Sequence, residues 1–196
     1  MNLRQFKIFG YGFLLICILG ISIMSSYKLA DQTKDIFNSR SLPERTNNWM
    51  SMQGSAEWEG LAETQIHPRQ LKFDTPEYGI RAGTISLISR ALRKNNNPTL
   101  SINQIFFEDD GWAEDKQSYK MDLISRGIPE DKVYNMLNIE EAEELINFIS
   151  SHEMGRKAFS EISEDDRKKA IMEGINMAYT YVNSPNYKRY NQLVGK

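Results

Sequence analysis

The chain has 196 residues, room for one domain with appendages, and a formal net charge of −2. That charge, with no basic stripe interleaved with aromatics, excludes nucleic-acid binding through phosphate neutralisation. A single cysteine, Cys17, and two distant histidines, His67 and His152, exclude a disulfide framework, a cysteine-rich metal site and an HExxH zinc site, so no dedicated zinc site is expected.

The first element is apolar. Residues 8–27, IFGYGFLLICILGISIMSSY, carry no charge. As a helix this stretch spans about 30 Å, the hydrocarbon thickness of a bilayer. Arg4 and Lys7 precede it, and Lys28 and Asp31 follow. The positive flank predicts residues 1–7 in the cytoplasm and the rest of the chain beyond the inner membrane. A cleaved signal peptide needs small residues before the cut, and Ser22, Ser25 and Ser26 are a poor set. A lipoprotein needs a small residue before Cys17, where Ile16 stands. An uncleaved single-pass anchor fits best, although Gly10, Gly12 and Gly20 leave open a span that can leave the membrane.

Residues 28–45 are polar and mixed in charge and read as a linker with room for one helical turn. Residues 54–73 have strand character. SAEWEGLAE and RQLKF are expected to pair around His67-Pro68, with Trp58, Leu61, Leu71 and Phe73 on the apolar face. A helix then starts with Asp74 or Thr75 as N-cap, Pro76 in the first position and Glu77 in the first turn. Ile80, Thr84, Leu87, Ile88 and Ala91 recur at helical spacing, and Arg90, Arg93 and Lys94 suit the C-terminal end before NNNP at 95–98. Gly79 and Gly83 fall on one face of this helix and predict close packing against another element.

Ser101 is expected to cap a short helix with Ile102, Ile105 and Phe106. Residues 114–126 form the next, with Tyr119, Leu123 and Ile124 on a stripe and Gly127 as terminator. IPEDKVYNML reads as a short helix opened by Pro129. Asn138 and Glu141 resemble a capping box before a helix that runs to about Met154, ending at Gly155. Ser163 with Asp166 starts the last helix, carrying Ile171, Ile175, Ala178 and Val182, and a polar, aromatic tail follows.

No P-loop, dinucleotide fingerprint or nucleophile elbow is present. What remains is carboxylates among aromatics, and glycoside cleavage is a reaction class that needs little else. The segment FDTPEYGIRA, residues 73–82, resembles the F-x-S-P-E-x-G-I-R-A segment of phage and prophage peptidoglycan-degrading virion proteins, often described as lytic-transglycosylase-like. Such proteins open with R-N-N-N-P-G-N-I-R and W-x-G, and follow the segment with a helix, W-A-P…E-N-x-T…Y and H-E-N-G. Here Arg45-Thr46-Asn47-Asn48, Trp58-Glu59-Gly60, residues 73–82, Trp112-Ala113-Glu114-Asp115 with Tyr119, and His152-Glu153-Met154-Gly155 stand in the same order, across residues 45–155. The N-P-G-N core is replaced by Asn48-Trp49-Met50-Ser51.

The resemblance implies a mainly α, lysozyme-like (α+β) domain with a small hairpin over 46–160 and no metal or organic cofactor; the last helix and the tail, residues 161–196, lie beyond it. It implies cleavage of the peptidoglycan glycan by one glutamic acid that protonates the glycosidic oxygen. In a transglycosylase the sugar's own 6-hydroxyl then attacks. Three acids compete. Glu153 ends a helix, where the dipole disfavours an anion, and such misfits mark sites. Glu114 precedes a helix and equally suits an N-terminal role. Glu77 suits the dipole and an i,i+4 pair with Arg81, which by itself explains both residues. Asn47, Asn48, Trp58, Glu59, Arg81, Trp112 and Tyr119 are the expected substrate contacts, and core burial is the competing reading for the tryptophans, Trp49 included. Glu57 and Glu59 flank Trp58, where lysozyme-like folds keep assisting carboxylates. The rival reading is a membrane-anchored domain without cleavage chemistry that binds peptidoglycan or a virion or envelope protein. A third keeps the enzyme and controls it by release of its span from the membrane.

Overall fold

The computed structural model describes residues 40–54, 57–160 and 162–182. The expected membrane helix over 8–27, most of the linker and the tail lie outside these residues. Among the described residues no helix is long and apolar enough to cross a membrane.

A compact unit begins at Leu42. It is mainly helical with one two-stranded sheet: α1 (Leu42–Arg45), α2 (Pro76–Asn95), β1 (Thr99–Ser101), a π-helical turn (Asn103–Phe107), α3 (Lys116–Ser125), β2 (Val133–Asn135), α4 (Ile139–Met154), α5 (Arg156–Phe159) and α6 (Glu164–Val182). The turn expected within residues 28–45 is α1, which packs on α4 with Pro43 buried. The last long helix, α6, packs along α2 within the same unit.

The start of α2 is set from outside the helix. Thr75 makes no side-chain cap. Instead Asn47 Nδ2 donates to the Phe73 and Asp74 carbonyls, both at 3.0 Å. Pro76 at the first position and Glu77 in the first turn act as expected. The close packing predicted for Gly79 and Gly83 is present. A Cβ on Gly79 would lie 2.3 Å from the Asn47 carbonyl oxygen, and one on Gly83 2.2 Å from Met50 Sδ. The segment from Thr46 to Met50 therefore lies against α2. Trp49, Met50, Phe73 and Ile80 are all buried there.

The two glycines make a graded prediction. Gly79→Ala meets a backbone oxygen that cannot step aside, an overpacking cost of about 1–3 kcal/mol reduced by up to about 1 kcal/mol of helix propensity. Gly83→Ala meets the flexible Met50 side chain. Urea unfolding is expected to show the larger loss for Gly79→Ala, and equal losses would contradict this reading of the contact.

The expected helix over IPEDKVYNML is corrected. Lys132 N–H closes a turn on the Pro129 carbonyl at 3.1 Å, and residues 133–135 form β2. β2 pairs antiparallel with β1 in the register Thr99↔Asn135, Leu100↔Tyr134 and Ser101↔Val133. Val133 faces solvent and Tyr134 the core, the alternation of a half-buried strand.

The hairpin expected over 54–73 reduces to two isolated bridges, Gln53↔Gln70 and Leu61↔Phe73. Gly54 and Gly60 adopt positive φ, and His67 Nδ1 accepts from the Arg69 and Gln70 amides, so the chain turns where a ladder would run. Its expected apolar face still packs inward: Leu71 and Phe73 are buried, and Trp58 and Leu61 lie against the core.

Other boundaries shift for local reasons. Ser101 Oγ accepts from the Gln104 amide at 3.3 Å, but the helical turn that follows is π rather than α. Asp115, not Glu114, caps α3 by accepting from the Ser118 amide at 3.0 Å, and Ile124 on α3 faces solvent rather than the stripe. Asn138 caps α4 through the Glu140 and Glu141 amides, as expected. Glu141, however, reaches the Asn135 amide at 2.7 Å, because the Asn138 amide already donates to the Asn135 carbonyl. Ser163 and Asp166 form the reciprocal pair expected before α6.

Candidate functional site

Met50 to Gln53 is the hub of the site. Asn48 shapes it from below. Its Nδ2 donates to the Met52 and Leu71 carbonyls at 2.8 and 2.9 Å, and its Oδ1 accepts from the Met52 amide at 2.8 Å. Asn48 is fully buried and Asn47 pins the start of α2. Asn48, expected to touch substrate, is buried and positions the backbone instead, while Asn47 stays half-exposed beside the start of α2. Ser51 takes up φ +48, a left-handed conformation uncommon outside glycine, asparagine and aspartate.

Three expected site residues converge on this hub. Ser51 Oγ donates to Glu153 Oε2 at 2.6 Å. The Trp112 indole N–H donates to the Met50 carbonyl at 2.9 Å. Gln53 Nε2 donates to Glu114 Oε1 at 2.6 Å, with Arg69 3.7 Å away. A fourth, Tyr119 on α3, donates its hydroxyl to Glu153 Oε1. A groove of about 390 Å³ opens beside the hub, lined by Ser51, Gln53, Arg90, Asp110, Trp112 and Glu114.

Glu153 stands in the last turn of α4, where the helix dipole opposes its charge. The Ser51 and Tyr119 hydroxyls offset that misfit. Burial, and then the Glu153 charge and hydrogen bond, push the Tyr119 phenol well above its ordinary range, so it stays protonated as a donor.

Behind Glu153 lies a second polar chain that sequence reasoning missed. His152 Nδ1 is 3.0 Å from Asp122 Oδ2. Arg126 donates to Asp122 through Nε at 3.0 Å and Nη2 at 2.7 Å, and to Ser151 Oγ at 2.8 Å. The i,i+4 spacing of Asp122 and Arg126 was a legible signal, whereas their contact with His152 depends on how α3 packs on α4.

Burial works against ionisation of Asp122, but hydrogen bonds and charge from Arg126 and His152 hold its carboxyl below the usual carboxylate range. A folded-state value below the unfolded one stabilises fully above about pH 4, and the benefit drains away as pH falls further. Calorimetric melts are therefore expected to show the wild type losing melting temperature faster than Asp122→Asn below about pH 4. Parallel curves would exclude Asp122 from the acid response.

The remaining expected residues lie elsewhere. Arg81 pairs with Glu59 at 3.1 Å and Glu173 at 3.5 Å rather than with Glu77, and its guanidinium lies over the Tyr78 ring. Glu77, Tyr78, Arg81, Asp166, Lys169 and Glu173 line a separate groove of about 380 Å³ between α2 and α6. Glu57 is exposed, Trp58 is half-buried against the core, and Trp49 is buried within it. Among the described residues no group of histidine, cysteine, aspartate or glutamate is placed to hold a metal ion. No family model matches the chain, and no curated protein matches it in a sequence search.

Proposed function

We propose that the protein cleaves the glycan strand of peptidoglycan, with Glu153 as the general acid and the groove beside Ser51, Trp112 and Glu114 as the entry for the sugar chain. The observation that carries this reading is the grip on Glu153: a half-buried carboxylate at an unfavourable helix end, held by buried Tyr119 and by Ser51, which itself lines the groove. Residues drawn from the opening, third and fourth segments of the family resemblance meet around this one hub. The helical unit with its small sheet is compatible with a lysozyme-like fold. In this reading residues 8–27 anchor the protein in the inner membrane and the domain faces the periplasm, as part of a phage or prophage system.

Glu153 would take up a proton from solvent once one of its two donors yields, and then pass it to the glycosidic oxygen. Glu114 lines the groove, where a second carboxylate can assist the positive charge that develops at the sugar. The Trp112 indole N–H is already satisfied, which leaves its ring for stacking on a sugar face.

A second reading is a binding module that holds glycan without cutting it. It is favoured by the engagement of both Glu153 oxygens. The test is incubation of the full chain, in mild detergent, with purified peptidoglycan and mass analysis of the soluble products. Anhydro-muropeptides identify a transglycosylase and reducing ends a hydrolase. Protein that pellets with peptidoglycan and releases nothing supports the binding module.

A further inference from the structure

His152 has one ring nitrogen against a carboxylate and the other against a hydroxyl. Its Nδ1 lies 3.0 Å from Asp122 Oδ2, and its Nε2 lies 3.5 Å from Ser118 Oγ. With the proton on Nδ1, facing Asp122, the Nε2 lone pair is directed at the serine. Ser118 and Asp122 are one helical turn apart on α3, which puts them on one face, and His152 comes from the last turn of α4. We propose that Ser118, His152 and Asp122 form a second catalytic centre, a serine esterase site acting on small acyl groups carried by a larger molecule.

The parts have the roles such chemistry requires. Ser118 is exposed, while the His152 and Asp122 side chains are only 16% and 17% exposed. The imidazole is clamped: its ring centroid is 3.9 Å from that of buried Tyr119 and 6.3 Å from that of Phe148. Asp122 is oriented in turn by Arg126, whose guanidinium stacks 4.9 Å from the Phe148 ring centroid. Ser118 lies in the first turn of α3; its own amide is taken by the Asp115 cap, which leaves the amides of Lys116 and Gln117, ahead of the first intrahelical bond, as the donors for an oxyanion. An exposed serine meets an ester that protrudes from its carrier, which favours a small acyl group over a long chain that needs enclosure.

In the first step Ser118 Oγ bonds to the acyl carbon and its proton passes to His152 Nε2. The carbon–oxygen bond to the alcohol then breaks, and the alcohol leaves with that proton. Water attacks the acyl-enzyme and gives a proton to His152. The bond to Ser118 breaks, the proton returns to Oγ, and the carboxylic acid departs. The sum is ester plus water to acid plus alcohol, with no redox change.

The test uses the full chain in mild detergent, a fluorophosphonate probe and p-nitrophenyl acetate. The expected result is a single adduct mapped to Ser118 by peptide mass, absent in Ser118→Ala. Ser118→Ala should also lower kcat/KM for the acetate ester at least about 100-fold. Because Ser118 is exposed, its alanine variant should melt like the wild type. Asp122→Asn should lower kcat/KM about tenfold or more and displace its pH profile, a response a merely structural aspartate would not produce. Folded wild-type protein that takes no adduct, an adduct on another residue, or undiminished hydrolysis by Ser118→Ala would each overturn the proposal. None of these readouts uses peptidoglycan, so this site and the glycan-cleaving site stand or fall separately.

Discussion

Glu153→Gln is expected to reduce the release of glycan fragments by about 100-fold to 10,000-fold, the range over which a positioned general acid contributes. The substitution keeps the side chain's size and one acceptor oxygen, so Ser51 or Tyr119 retains a partner. It removes the carboxyl that must pick up a proton and pass it to the leaving oxygen. It also removes an anion from the last turn of α4, which relieves an unfavourable dipole interaction. The variant should therefore melt close to the wild type, and the loss should appear in rate. A second readout comes from Tyr119, whose phenol is raised partly by the Glu153 charge. Burial still holds the phenol up, but ultraviolet titration read as the difference from the matching Tyr119→Phe protein, which isolates one of the nine tyrosines, should find Tyr119 ionising at lower pH in Glu153→Gln. Unchanged fragment release in a variant with that shift would remove Glu153 as the acid and move the role to Glu114, which lines the groove.

The largest expected stability effect belongs to Arg90→Met. Arg90 was expected to serve the C-terminal dipole of its helix, but its side chain turns inward and is only 10% exposed. Nε and Nη2 donate to the Gln104 carbonyl at 3.2 and 2.7 Å, Nη1 donates to the Asp110 carbonyl, and Nη2 reaches Asp110 Oδ1 at 2.8 Å. One side chain thus ties the π-helical turn to the loop that carries Trp112. Methionine keeps much of the volume and leaves the part-buried Gln104 carbonyl without its donor, at about 1–3 kcal/mol, while water from the groove can reach the Asp110 carbonyl. A total near 2 kcal/mol lowers the melting temperature of a domain this size by about 4–8 °C. The Asp110 carboxylate is 62% exposed, and its pairing adds little. Lys94→Met is the control, because Lys94 pairs with Glu108 and Asp110 at the surface. It should barely move the melt. Equal effects of the two substitutions would place the stabilisation in surface charge rather than in the buried carbonyl contacts. Because Arg90 and Asp110 also line the groove, Arg90→Met should weaken glycan processing beyond what its stability loss explains.

The helices were largely legible in the chain because their signals are local. Pro76, Asn138 with its neighbouring amides, Ser163 with Asp166, and Gly155 each act within a turn of where they stand. The packing of Gly79 and Gly83 could be read because two glycines four apart inside a helix cost stability unless something approaches closely. The strands were not legible. Val133–Asn135 is short, and its partner Thr99–Ser101 is more than thirty residues away in the chain. A three-residue strand carries too little periodicity to outweigh a proline that suits a helix start.

The candidate site divides in the same way. Sequence determined that Glu153 is a carboxylate at a helix end that disfavours it, and that Tyr119 shares a helical stripe with Leu123. Tertiary structure alone decided that Ser51, more than a hundred residues upstream, supplies a donor to Glu153, and that Asn47 and Asn48 build the backbone around it. It likewise separated Glu77 and Arg81 from Glu153 and set His152 between Asp122 and Ser118. The physical reason is range. Caps, dipoles and helical spacing act within one or two turns, whereas a hydrogen bond between distant segments exists only once the core has packed and brought them within 3 Å or so.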